Sequence, residues 1–344
     1  MNRRIDSFRQ ILSRNRAASA ALGMLILLYL LALFAPFLSP YDPDDESRPH
    51  SWATPSRIHF DGIRPYVHPV SFTFDDQAQR IYVEDTAVKA HLGLFVRGHL
   101  FGVVDDPANP TTARLYLLGA DSRGRDLLSR LLAGSRISLT IGVVGVTIST
   151  LIALLIGGIA GFAGGRVDWV LMRICEIVML VPGFYLLMLL RAALPLDWDS
   201  RVVYASIVLI LSFIGWAGLA RIVRGLVLSI RERDHVVAAR ALGVPPWRIL
   251  TRHVLPHTWG FLAVQATLSI PGYIVAESGL SLLGLGIQDP QTSWGNLLQE
   301  AMSIAEIRLH PWSLLPGLFL FFAVLSWNLV GDALRDAFDP RGDE

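Results

Sequence analysis

The stretch Ile137-Ser-Leu-Thr-Ile-Gly-Val-Val-Gly-Val-Thr-Ile-Ser-Thr-Leu-Ile-Ala-Leu-Leu-Ile-Gly-Gly-Ile-Ala-Gly-Phe-Ala163 carries no charged side chain and is closed by Arg136 and Arg166. About 20 residues of helix cross a bilayer core of roughly 30 Å, and only a helix or a closed barrel hides its backbone polar groups there. The run exceeds that length and predicts a membrane-spanning helix. Five more runs qualify, at residues 17–38, 169–190, 202–220, 259–287 and 312–334. Composition agrees, since 52% hydrophobic residues and a mean hydropathy of +0.46 are too apolar for a soluble domain. The fold class that follows is an all-α polytopic membrane protein with six transmembrane helices in a lipid bilayer.

The third run is the least clean, because it contains Arg173 and Glu176. Three residues apart on one helical face, near one end, these can pair and snorkel rather than cross the bilayer centre. Pro182, Pro271 and Pro316 inside spans read as kinks whose freed backbone groups neighbouring helices satisfy.

Arginine placement orients the chain, since short cytoplasmic loops retain basic residues. Residues 221–252 hold seven arginines, whereas the short loops assigned to the other side hold Arg191, Arg201 and Arg308. This places residues 1–16 and 335–344 in the cytoplasm and residues 39–136 outside. The first run could instead be the apolar part of a cleaved signal peptide, but it is too long and Ala35-Pro36-Phe37 makes a poor cleavage site. The external insert 39–136 opens with Pro40, Pro43, Pro49 and Pro55, which exclude regular helix. Val70–Phe74 and Arg80–Glu84 alternate around Asp75-Asp76-Gln77 like a small hairpin, giving a small mixed or β insert after the first span.

A net charge of +1 lacks the basic surface that nucleic acid requires. One cysteine, Cys175, makes neither an intrachain disulfide nor a cysteine-clustered metal site. Lys89 is the only lysine, and no phosphate-binding loop can be built around it, so ATP chemistry belongs to another chain. Neither G-x-S-x-G nor H-E-x-x-H occurs, which argues against a membrane-embedded enzyme. An ion-coupled secondary transporter is the stronger rival, served by broken helices and intramembrane acids. A long basic loop at residues 221–258, inside the core 137–334, speaks against it.

That loop reads as helix, break, helix. Asp234 N-caps or charge-stabilises the first helix, which carries Ala238, Ala239 and Ala241. Gly243 supplies a left-handed stop; Pro245 and Pro246 open the second helix, Trp247 continues it and Pro256 ends it. Alanines allow another surface to approach closely; the alternative is a solvated amphipathic linker. Gly157, Gly161 and Gly165 give small-xxx-small steps for close helix packing.

Val237-Ala238-Ala239, Gly243 and Leu255-Pro256 resemble the EAA signature of ABC importer permeases, with Val237 in place of the usual Glu. Arg252-His253-Val254-Leu255-Pro256 is similar to its oligopeptide/dipeptide branch. Three more segments resemble that branch: Gly119-Ala-Asp-Ser-Arg-Gly-Arg-Asp126 with Ser129-Arg130, Glu277-Ser-Gly-Leu-Ser281 through Ser293-Trp294-Gly295, and Gly331-Asp332 through Asp339-Pro340. The first span and most of the insert carry no matching motif. The resemblance implies a type I permease fold in the inner membrane, a second homologous permease as heterodimer partner, two ATP-binding subunits and an external solute-binding protein. It implies peptides as cargo, with nickel or another small solute as the alternative. ATP and Mg would sit in the partner subunits, leaving this chain without cofactor. The coupling residues would be Asp234, Val237, Ala238, Ala239, Gly243, Trp247, Leu255 and Pro256.

Glu277 is costly at a helix centre, by ~2.5–3.5 kcal/mol, so it either lines a pathway or sits near the outer interface in water. Glu176 and Asp126 join it as candidates for the pathway or gate, Glu176 being the better explained by Arg173. His253 and His257 are four apart, but Pro256 between them and the lack of a third ligand nearby argue against a metal.

Overall fold

The computed structural model describes residues 15–74, 80–104, 113–195 and 198–338. The hairpin turn at Asp75-Asp76-Gln77, most of residues 1–16 and the end of the C-terminal motif, Asp339-Pro340, lie outside them. By internal contacts the chain divides into two units, one of residues 1–25, 139–280 and 321–344, the other of residues 26–138 and 281–320.

Among the described residues five helical segments are long and apolar enough to span a membrane: α1 (Arg16–Leu33), α2 (Leu127–Ala163), α5 (Ser200–Ile230), Pro246–Leu282 with α7 (Trp259–Leu282) as its regular part, and Pro311–Phe338 with α10 (Leu315–Phe338). The sixth is a bent pair, α3 (Gly165–Leu180) and α4 (Gly183–Ala192), angled by 81°. Pro182 therefore breaks its run, where a repaired kink was expected. Val181, ahead of the proline, is extended (φ −90°, ψ 127°), as the ring's clash with a helical predecessor requires. Pro316 falls in the first turn of α10, where a missing N–H costs nothing, and is no kink. Pro271 alone sits inside a continuous helix.

In the first unit, α2 and α5 approach backbone to backbone. A Cβ on Gly157 would come within 2.3 Å of Ala220 O, and one on Gly161 within 2.7 Å of Arg224 O. Gly165 plays no such part: at φ +55° it opens α3, directly after the left-handed Gly164 that ends the turn from α2. Asp168 on α3 forks onto the guanidinium of Arg224 on α5, holding the two helices together.

The second unit contains the insert. Its expected hairpin is present, β3 (Val70–Phe74) against β4 (Arg80–Glu84), with Phe72 opposite Tyr82. A four-stranded antiparallel sheet, not foreseen, is ordered β1 (His59–Asp61), β2 (Arg64–Val67), β5 (Ala90–Val96), β6 (His99–Val103). Val67, Ala90, Ala113 and Leu115 form its buried core.

Candidate functional site

The loop after α5 is built on an apolar support. Val236 and Ala239 of α6 (Asp234–Ala241) are buried against Val223, Val227 and Ile230 of α5 and Ile249, Val254 and Leu262 beyond. Helical spacing then turns Asp234, Val237, Ala238 and Ala241 outward, all exposed. Ala239, expected to meet a partner, is only 6% exposed and instead fixes α6 to its own chain. Asp234 is in the first turn and caps nothing; the N-cap is Arg233, which makes no side-chain cap bond. What Asp234 contributes is negative charge at the positive end of the helix.

Gly243 ends α6 at φ +75°, with its N–H donating to Arg240 O at 3.0 Å and the N–H of Val244 to Ala239 O at 3.2 Å. An added Cβ would meet no atom within 4 Å, so the glycine serves backbone conformation rather than space. Pro246 starts the next turn, as read. Pro256 does not end it: a π-helical turn, Ile249–Val254, passes into a 3-10 turn, Leu255–Thr258, and then into α7. The wider turn ahead of Pro256 accommodates its missing N–H. Leu255 packs on the buried core while Pro256 is exposed. The outer rim holds Val237, Leu242 at 83% exposure and Trp247 at 63%. A rigid element with large apolar side chains facing away from its own core is what a docking surface requires.

Also in the first unit, a cavity of about 620 Å³ is lined by α2, α5 and α7, with Ser149, Thr150, Arg221, Gln265, Ser269 and Tyr273 as its polar groups. Ser149 Oγ donates to Ser212 O at 3.0 Å, so the short bond with Tyr273 must be donated by the phenol. Gly215 makes room for that phenol, since a Cβ there would lie 1.8 Å from Tyr273 Oη.

Residues 153–343, more than half of the chain, match the family model described as binding-protein-dependent transport system inner membrane component. The chain belongs to that family. A second model, the N-terminal TM domain of oligopeptide transport permease C, matches residues 5–55, covering the first span that no motif had reached. The permease is similar to the oligopeptide transport system permease protein OppC of Haemophilus influenzae, 40% identical over 68% of this chain and 73% of that one. It is also similar to the dipeptide transport system permease protein DppC of Bacillus subtilis, 32% identical over 98% of this chain and 85% of that one. A solved structure titled inward facing conformations of the MetNI methionine ABC transporter aligns at TM-score 0.47 and 19% identity, over 61% of this chain and 97% of that chain.

The permease motif at residues 119–130 folds into a charge cluster in the second unit. Asp121 Oδ1 accepts the N–H groups of Arg123 (2.8 Å) and Arg125 (2.9 Å). Its Oδ2 accepts from Arg125 Nε at 2.7 Å and from Arg130. Both guanidiniums also reach Asp289 Oδ1, at 2.9 and 2.8 Å. Gly124, at φ +74°, lets Ser47 approach so closely that a Cβ would lie 1.9 Å from its carbonyl oxygen. Ser122 donates to Glu300 at 2.8 Å; burial, then the charge of Asp121, pushes the Glu300 carboxyl above its ordinary range.

Asp126 is no gate. Its Oδ2 accepts the N–H (2.7 Å) and hydroxyl (2.6 Å) of Ser129, capping α2, and complete burial pushes its carboxyl up to about 7. Glu277 is fully buried in this structure, and Ser278 Oγ stands 3.4 Å from its carboxylate. Glu176 pairs with Arg173 at 3.1 Å on the exposed face of α3, as read from their spacing. His257 lies beside His235, ring centres 5.0 Å apart. Among the described residues no three His, Cys, Asp or Glu side chains gather where they could hold a metal ion.

Val236, Leu242, Gly215, Tyr273 and Asp289 escaped sequence reading. Val236 lies two residues before Ala238, and Leu242 directly after Ala241. Asp289 gives no local signal, because its partners lie 159 and 164 residues away.

Proposed function

We propose that this permease component forms one half of a peptide importer, paired with a second, homologous permease and driven by two ATP-binding subunits. The exposed rim Val237–Leu242–Trp247, carried by a helix anchored through Val236 and Ala239, supports this reading above all. On it the loop 221–258 and both termini are cytoplasmic, and residues 39–136 face outward toward a solute-binding protein. The rim, with Asp234, Ala238 and Gly243, receives the ATP-binding subunits. ATP and Mg are bound there, and this chain hydrolyses nothing. Closure of the ATPases displaces a rigid α6. Because α6 shares one core with α5 and the start of α7, the push is transmitted into those spans and shifts the balance between inward- and outward-open states. The cavity around Ser149 and Tyr273 offers hydroxyl, amide and guanidinium groups to a passing peptide without a fixed charge pattern, as cargo of varied sequence requires.

The test is uptake by a deletion strain supplied with labelled di- and oligopeptides, nickel and opines. Loss of peptide uptake, restored by the gene, supports the proposal. Unchanged peptide uptake with lost nickel uptake makes the metal the cargo.

A further inference from the structure

We propose that the hairpin β5–β6 is a membrane-surface anchor, its tip seated among the lipid headgroups and upper acyl chains beside the end of α1. Leu94 and Phe95 are adjacent in sequence, so a regular strand would turn them to opposite faces. Both are exposed, at 72% and 71%. Phe95 has φ +59°, a conformation uncommon for a large side chain, and Arg97 and Gly98 follow at φ +50° and +88°. The two positive angles at the tip are those of a tight two-residue hairpin turn.

The tip is fastened to the short helical turn Ala35–Leu38 that directly follows α1. The rings of Phe95 and Phe37 lie 6.1 Å apart, and His99 Nδ1–H donates to Pro36 O at 3.2 Å. Leu33 at the end of α1, and Phe34 and Phe37 in the short helical turn that follows it, are themselves exposed and lie where an 18-residue helix of about 27 Å leaves the apolar core. The surface formed by Leu94 and Phe95 thus continues the lipid-facing surface of α1. Phe and Leu are side chains that surface-bound elements bury at the headgroup–acyl boundary. The strand order puts β6, which packs on the Ala35–Leu38 turn, and β1 at opposite edges, so Ile63, in the β1–β2 turn and 96% exposed, is a comparison site on the same sheet.

The inference rests on α1 being a span, and the experiment separates the two. Cys175 is replaced by Ala, and single cysteines are introduced at Leu94, Phe95, Ile63 and Phe34 in the full-length chain. Each is labelled with an environment-sensitive fluorophore in phosphatidylcholine vesicles. Quenching is compared between a nitroxide carried high on the lipid acyl chain and aqueous iodide. The expected result is loss of fluorescence to the lipid nitroxide at 94, 95 and 34, and to iodide at 63. If 34 responds to lipid but 94 and 95 respond to iodide, or to neither quencher, the anchor is refuted while the span stands. If 34 also responds to iodide, the span reading itself fails and the anchor with it.

Discussion

Asp121 and Asp289, far apart in sequence, close on the same two arginines: Arg125 and Arg130 each bond both carboxylates. The guanidiniums are buried, so they depend on these partners for the charge balance that water would otherwise supply. Asp121→Asn would turn an amide N–H₂ toward two cations and leave them undercompensated. A loss of about 3–5 kcal/mol is expected, read as a lower melting temperature in detergent and reduced membrane abundance. Arg123→Ala, at an exposed pair, should cost no more than about 1 kcal/mol.

Gly157→Leu should be severely destabilising, because Ala220 O occupies the space its side chain needs. Gly225 on α5 has nothing within 4 Å of an added Cβ, and Gly225→Ala should leave the isolated chain as stable or slightly more so, by up to about 1 kcal/mol. Melting curves of the two variants check this; equal effects would mean that α2 and α5 do not meet at Gly157.

Asp126 predicts a pH dependence. Its folded value of about 7 lies above the ordinary carboxyl value, so the folded chain holds the proton more tightly than the unfolded chain. The resulting stabilisation is complete below about pH 4 and is lost as pH rises through about 7. Between pH 5 and 8 the wild-type melting temperature should therefore fall relative to that of Asp126→Asn. Parallel curves would show that this carboxyl does not titrate there.

The spans were legible because lipid demands long apolar runs, a demand written residue by residue in 137–163. The glycine stop at Gly243 was legible for a similar reason: left-handed backbone selects one residue type. The sheet β1-β2-β5-β6 was hidden, since β1 has three residues and β2 carries Pro65, giving no alternation to read. Pro182 and Pro271 look alike in sequence; one breaks a helix and the other is carried within one. The orientation of α6 was equally hidden. Alanine suits a buried face and a contact face alike, and only the packing of Val223, Val227 and Ile249 tells Ala239 from Ala238.

Coupling through the rim of α6 is the central claim, and its parts separate by mutation. Ala239→Arg should reduce membrane abundance, because it forces a charge into the buried cluster. Gly243→Asp should misdirect the second turn through the penalty at φ +75°. Leu242→Asp changes an 83% exposed side chain at the helix end, leaves the buried cluster and Gly243 as they are, and puts a charge where an apolar contact is needed. The most direct measurement is co-purification of the ATP-binding subunits with the Leu242→Asp permease, alongside membrane abundance and peptide uptake. Abundance at the wild-type level with the ATP-binding subunits and uptake both lost is the predicted result; wild-type retention of the subunits with undiminished uptake would contradict it.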